Sequence, residues 1–168
     1  MFPVIVFDLD LNGFHYHSVE SSVLFFSEKK SDKQVRIGSF GPFDGFLFID
    51  LDGNGCATLP DEIQMSDNEG SDTDFLKIFD TDDNYLINKD DLFYSKLSLW
   101  FDKNGNQECT IDEVIRFSSM SITLHLEFNQ AGKVMHNATF DKSFKFTIAH
   151  DGQKDIIGNA VIVSFSEK

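Results

Sequence analysis

The apolar residues of this chain keep three different rhythms. Near the start they come in short continuous runs. Pro3 to Phe7 (PVIVF) reads as a buried strand that runs straight into Asp8, and Phe46 to Ile49 delivers Asp50 in the same way. Between them Phe14 to His17 alternates, and Val23 to Phe26 and Val35 to Ile37 are short strand candidates around a polar turn, Ser27 to Lys33. Gly38 to Gly45 reads as loop. In the middle the spacing becomes helical. Phe75, Ile78 and Phe79 follow the capping candidates Asp72 and Thr73, then come Phe93, Leu97, Trp100 and Phe101, and finally Val114, Ile115 and Phe117. From Ser121 the period is two: Ile122, Leu124, Leu126 and Phe128, then Phe144, Phe146 and Ile148, then Val161, Val163 and Phe165. That tail predicts an antiparallel sheet with one face buried. The expected fold is α+β in a single domain over 1–168: strands and first loops over 1–60, a helical part over 61–118, and an antiparallel part over 119–168.

The polar positions that interrupt these runs repeat. Asp80, Asp82, Asn84 and Asp91 stand at positions 1, 3, 5 and 12 of a twelve-residue calcium-type loop, and Asp102, Asn104, Asn106 and Glu113 repeat the spacing. Oxygen ligands at alternate residues of a curling loop point inward, and an acid at position 12 closes the far side. A third loop holds Asp50, Asp52, Asn54 and Gly55, with Thr58 at position 9 and either Asp61 or Glu62 as closing acid. A fourth has Asp8, Asp10, Asn12 and Gly13 but no acid at position 12. Phe14, Cys56, Leu86 and Glu108 occupy position 7, where the backbone carbonyl serves as ligand. Position 6 calls for glycine at positive φ; Tyr85 and Gln107 stand there instead, a cost of roughly 1–2 kcal/mol each. One isolated motif would be about evenly balanced between a metal loop and an ordinary Asx turn, but recurrence with closing acids favours Ca2+. Asp80 and Asp102 lie so close that one helix would have to serve both EF-hand-like loops, which disfavours a calmodulin-like sensor.

Composition narrows the classes. A net charge of −14 and a pI near 4.5 exclude nucleic acid and anionic membrane as natural partners. No apolar run is long enough to span a bilayer, and Asp8 falls too early for a signal-peptide core. With 41% hydrophobic residues and 19 Phe, a core is available. Cys56 and Cys109 make no disulfide framework, and two unpaired side chains are expected. His15 and His17 lack a third zinc ligand, Asn137-Ala138-Thr139 matches a glycosylation sequon, and Lys29, Lys30 and Lys33 form a basic turn that reads most simply as a solvated loop. Nothing resembles a nucleophile elbow or triad.

The order strand-DLDLNG, PFDGFLFIDLDGNG, then FLKIFDTDDNYLINKDDLFYSKLSLWFDKNGNQECTIDEV and an alternating tail resembles the calcium-dependent self-processing module of RTX (repeat-in-toxin) toxins and iron-regulated exported proteins of Gram-negative bacteria. The likeness covers nearly the full length and is most specific from Asp44 to Val114, including Leu97-x-x-Trp100. It implies a secreted, extracellular protein exported by type I secretion without an N-terminal signal peptide. It also implies that calcium folds the module and triggers autoproteolysis of an Asp-Pro bond at the N-terminal edge. There the carboxylate attacks its own carbonyl, and the resulting anhydride opens with water or with a lysine amine to give an isopeptide. The partners so implied are calcium ions, the upstream segment of the same polypeptide and a lysine of another protein. Pro3 occupies the edge of that bond, but Phe2 replaces the aspartate. A chain beginning past the scissile residue, a blocking substitution and a relative that lost the chemistry all fit. The alternative is a purely structural calcium-binding domain that stabilises a larger exported protein.

Overall fold

The computed structural model describes residues 2–14, 16–17, 25–27, 34–36, 39–58, 60–63, 76–104, 106, 108–135, 138–149 and 152–165. The chain enters on β1 (Phe2–Asp8), and two small hairpin-like pairs follow from β2 (Tyr16–His17), β3 (Phe25–Ser27), β4 (Gln34–Arg36) and β5 (Ser39–Phe40). Then come β6 (Asp44–Ile49), α1 (Pro60–Ile63), β7 (Leu86–Ile87), β8 (Leu97–Trp100), β9 (Val114–Arg116), α2 (Phe117–Met120), β10 (Ile122–Met135), β11 (Ala138–Ile148) and β12 (Ile156–Phe165). Eight of these strands form one antiparallel sheet in the order β7-β10-β11-β12-β1-β6-β8-β9.

Both ends of the sequence meet in the middle of that sheet. Backbone pairing joins β1 to β12 from Phe2↔Phe165 to Phe7↔Ala160, and β1 to β6 from Val6↔Phe46 to Asp8↔Asp44. A strand paired to β12 along its length and covered on two faces must be apolar, and Val4 to Phe7 are. Ile5 and Phe7 enter one core with Leu47, Leu99, Phe117, Phe146 and Ile162, while Val4 and Val6 enter a second with Phe46, Phe48, Trp100 and Val163. β11 serves both cores because it carries a bulge. Phe140 faces Val163 but Ser143 faces Val161, so one extra residue flips the phase between Phe140 and Phe144. The expectation of one buried face is therefore corrected for the central strands.

The α+β expectation is overturned more broadly. The chain is predominantly antiparallel β, and among the described residues no helix exceeds four residues. The stripe Phe93, Leu97, Trp100, Phe101 is a 3₁₀ turn (Tyr94–Lys96) followed by strand β8, and Val114 and Ile115 lie in β9. Leu97, Ser98, Leu99 and Trp100 are all buried, each paired to β6 from Ile49 back to Phe46. A short helix would bury one stripe only and is marginal alone, whereas the open edge of β6 offers a full ladder and two cores. Among the described residues the central helical insert and its EF-hand-like helix–loop–helix frame are thus absent, and 61–118 is strand, turn and single helical turns. The 3₁₀ turn is anchored by Tyr94, whose hydroxyl lies 3.0 Å from the Phe117 carbonyl oxygen and 2.6 Å from that of Ile122. Burial pushes the Tyr94 phenol up to about 12. His15, Lys29, Lys30, Lys33, Asp72, Thr73, Phe75 and Asn137 lie outside the described residues.

Candidate metal centres

Three of the four Asp-rich loops grow from a strand end. β1 leads into the Asp8 loop, β6 into the Asp50 loop and β8 into the Asp102 loop; the Asp80 loop instead leads into β7, where Ile87 pairs with Leu124 of β10. Three loops share one backbone signature. Positions 4 and 6 have positive φ: Leu11 (62°) and Gly13 (96°), Gly53 (76°) and Gly55 (80°), Asp83 (56°) and Tyr85 (63°). This curl lets the position-6 N–H donate to the position-1 carboxylate, Gly13 to Asp8 Oδ2 at 2.9 Å, Gly55 to Asp50 Oδ2 at 3.1 Å and Tyr85 to Asp80 Oδ2 at 2.8 Å. Tyr85 therefore adopts the conformation that its position requires, at the expected steric cost. The position-5 Asn oxygens accept the position-7 N–H of Cys56, Leu86 and Glu108 at 2.9, 2.9 and 3.0 Å.

Carboxylates converge in all three. Asp50, Asp52 and Glu62, and likewise Asp80, Asp82 and Asp91, place one oxygen each within 4.8 Å of the others. The closing acid of the Asp50 loop is Glu62, fully buried, taking the N–H groups of Leu51 (3.1 Å) and Thr58 (2.9 Å). The Thr58 hydroxyl accepts from Asn54 Nδ2 at 2.9 Å. Asp61 lies in α1 and its side chain is outside the description. Asp91 is held by Thr81 and Asn88 N–H groups, each at 2.8 Å. The third cluster is Asp8, Asp10 and Asp44. Asp44 escaped the sequence reading because no loop spacing contains it. It stands on β6 directly across from Asp8, so it replaces the missing position-12 acid through strand register. The available signal was an acid at the head of the run DGFLFI, buried when that strand is central. Asn12 and Phe14 continue the Asp8 loop, Asn12 exposed and Phe14 packed against the second core.

The Asp102 loop differs. Asn106 N–H donates to Asn104 Oδ1 at 3.0 Å, and buried Glu113 lies 3.4 Å from Trp100 Nε1 through Oε2. Among the described residues no third acidic, His or Cys ligand joins Asp102 there, and Gly105 and Gln107 lie outside the description.

Burial, with like charges close by, raises two of these carboxyls. Burial first, and then the hydrogen bond and charge of Asp10, raise Asp8 above its ordinary range against the opposing Gly13 N–H. Desolvation, then the hydrogen bond to Asp80 and the charges of Asp91 and Asp80, raise Asp82. Asp8 Oδ1, Asp50 Oδ1 and Glu113 Oε1 are buried with no hydrogen-bond partner among the described residues. A buried carboxylate oxygen without a donor is costly, and a cation removes the cost. All-oxygen ligand sets at this spacing suit a hard cation, Ca2+ or Mg2+, rather than a thiolate- or imidazole-seeking metal.

The two cysteines are not free: Cys56 and Cys109 form a disulfide between position 7 of the Asp50 loop and position 8 of the Asp102 loop. This corrects the unpaired expectation, since 53 residues of separation hide a contact that the sheet creates.

No curated protein matches the chain. The toxin, RTX and export associations have no support in the fold or the comparisons. A family model described as SPM domain matches residues 5–162. That span contains all four loops and every strand core from Ile5 to Ile162, and the chain belongs to the SPM domain family.

Proposed function

We propose that this chain is a calcium-binding β module whose fold is completed by cations at the Asp8, Asp50 and Asp80 centres, with Asp102 and Glu113 offering a fourth, weaker one. The observation that carries the reading is the gathering of three carboxylates at each of three loops, together with the buried oxygens of Asp8 and Asp50 that have no donor among the described residues. Without a cation those groups repel one another across the junctions of β1, β6 and β7. With one, each loop becomes a brace between sheet elements. We further infer self-processing of the kind the sequence resemblance implies, with Pro3 at the reacting edge. Phe2 carries no carboxylate to attack the Phe2–Pro3 carbonyl, so this chain is uncleavable at that bond. The same residue favours the second reading, a structural module without chemistry.

Trp100 is the natural probe, since its indole N–H faces Glu113 Oε2. Calcium titrated into chelator-treated protein should shift Trp100 fluorescence and raise the melting temperature. Each site contributes about 2.7 kcal/mol when calcium is a hundredfold above its Kd. Identical spectra and melting in calcium and in excess chelator would defeat the proposal.

A further inference from the structure

Of the features the proposed function leaves unused, the Cys56–Cys109 bridge is the one tied to the candidate sites at both ends. Cys56 is the position-7 residue of the Asp50 loop, and its N–H is already committed to Asn54 Oδ1. Cys109 is the position-8 residue of the Asp102 loop, two residues from Gln107 and four from Glu113, and its Sγ also accepts the Ala57 N–H at 3.3 Å. The bridge therefore fixes the exit half of one loop, where the position-7 carbonyl must point inward, against the exit half of the other. The Asp80 loop contains no cysteine and pairs with β10 instead. The Asp8 centre is built on β1 and β6 and is likewise outside the bridge.

We propose that the Cys56–Cys109 disulfide is a redox control on cation binding at the Asp50 and Asp102 loops, leaving the Asp8 and Asp80 centres unaffected. This rests on the calcium reading above. The physical reason is preorganisation. With the bridge intact, the exit halves are held before the ion arrives; with it broken, the ion must order them. Reduction by a dithiol is balanced as follows. A reductant thiolate attacks the half-buried Cys109 sulfur, the protein S–S bond breaks as a mixed disulfide forms, and Cys56 leaves as a thiolate and takes a proton. The second reductant thiol then displaces Cys109, which takes the other proton, and the reductant ends as a cyclic disulfide. Coupling runs both ways: if the bridge tightens calcium, calcium must equally protect the bridge.

The test uses the whole chain. Calcium is titrated calorimetrically into the oxidised protein, the dithiothreitol-reduced protein and the Cys56→Ser/Cys109→Ser variant. Separately, the extent of bridge reduction is measured against a dithiol series with and without calcium. The expected result is a loss of about tenfold in affinity at each of two sites on reduction, with the remaining sites unchanged. Calcium should make the bridge about a hundredfold harder to reduce at equilibrium. The second measurement starts from the folded oxidised protein, so it stands even if the serine variant does not fold. Equal affinities in oxidised and reduced protein, or a reduction equilibrium indifferent to calcium, would overturn the redox coupling. Loss of affinity spread evenly over all sites would overturn it too, as a general loosening. Failure of the oxidised protein to bind any calcium would instead sink the reading on which the coupling rests.

Discussion

Tyr85 shows how much a single position can reveal. Its place at position 6 predicts a left-handed backbone, and the chain complies at φ 63°, with the Tyr85 N–H on Asp80 as its equivalents in the other loops are on Asp8 and Asp50. The ligand spacing was legible because Asp, Asn and Gly shape the loop through local hydrogen bonds, which need no knowledge of the rest of the fold. Asp44 was illegible for the complementary reason, since only the register of β1 on β6 brings it to Asp8. Tyr85 is half exposed, so removing its ring costs little packing. Replacing it by Gly should therefore relieve more strain than the added chain entropy costs, a net gain of about 1 kcal/mol. Calcium binding at the Asp80 loop should tighten as well. Denaturant melts and calorimetry of Tyr85→Gly check this, and a less stable variant would show that the loop bears no strain there.

At the scale of elements, alternation was informative and helical spacing was not. The period-two tail became β10, β11 and β12, with Leu124, Phe144, Phe146, Val161 and Val163 buried. The i, i+4 spacing around Leu97 misled because apolar residues packed this densely, with only Ser98 between them, fit a strand buried on both faces as well as a helix. The choice lay with β6, whose edge only the folded sheet supplies. A glycine in β12 marks another tertiary demand. Gly158 sits opposite Phe146 on β11, and a Cβ there would land on the Phe146 ring, which is fully buried in the first core. The ring lies over the glycine backbone, so Gly158→Ala should cost about 1–3 kcal/mol by overpacking. The pairing of β11 and β12 joins β7, β10 and β11 to the rest of the sheet, so the loss should appear as a lower melting temperature of the whole domain. An alanine variant as stable as the parent would mean that Phe146 has room to turn away.

The molecule as a whole is organised by where its first strand goes. β1 lies between β12 and β6, an arrangement that no local pattern announces, and its N-terminal end is paired to β12 alone while its C-terminal end enters the Asp8 centre between β1 and β6. A cation at Asp8, Asp10 and Asp44 would therefore fix the strand that also carries Pro3. The Cys56–Cys109 bridge closes the next stretch of chain, worth about 4 kcal/mol of lost unfolded-state entropy by the loop-closure estimate for its 53-residue span. The pairing of β1 with β12 makes the N-terminal edge part of the folded sheet, as orientation-dependent chemistry at that edge would require. Under the self-processing reading, what is missing is one carboxylate. With a short peptide fused upstream, Phe2→Asp should gain calcium-dependent cleavage between the new aspartate and Pro3, while the Phe2 chain in the same fusion stays whole. An amide with no adjacent nucleophile hydrolyses too slowly to observe. Mass spectrometry of the released peptide should show an aspartyl end, or an isopeptide to lysine at high protein concentration. Cleavage that needs no calcium would be ordinary Asp-Pro lability rather than the module's work. A Phe2→Asp fusion that binds calcium, folds and remains intact would assign the chain to a structural role, with its cations bracing a sheet that performs no reaction.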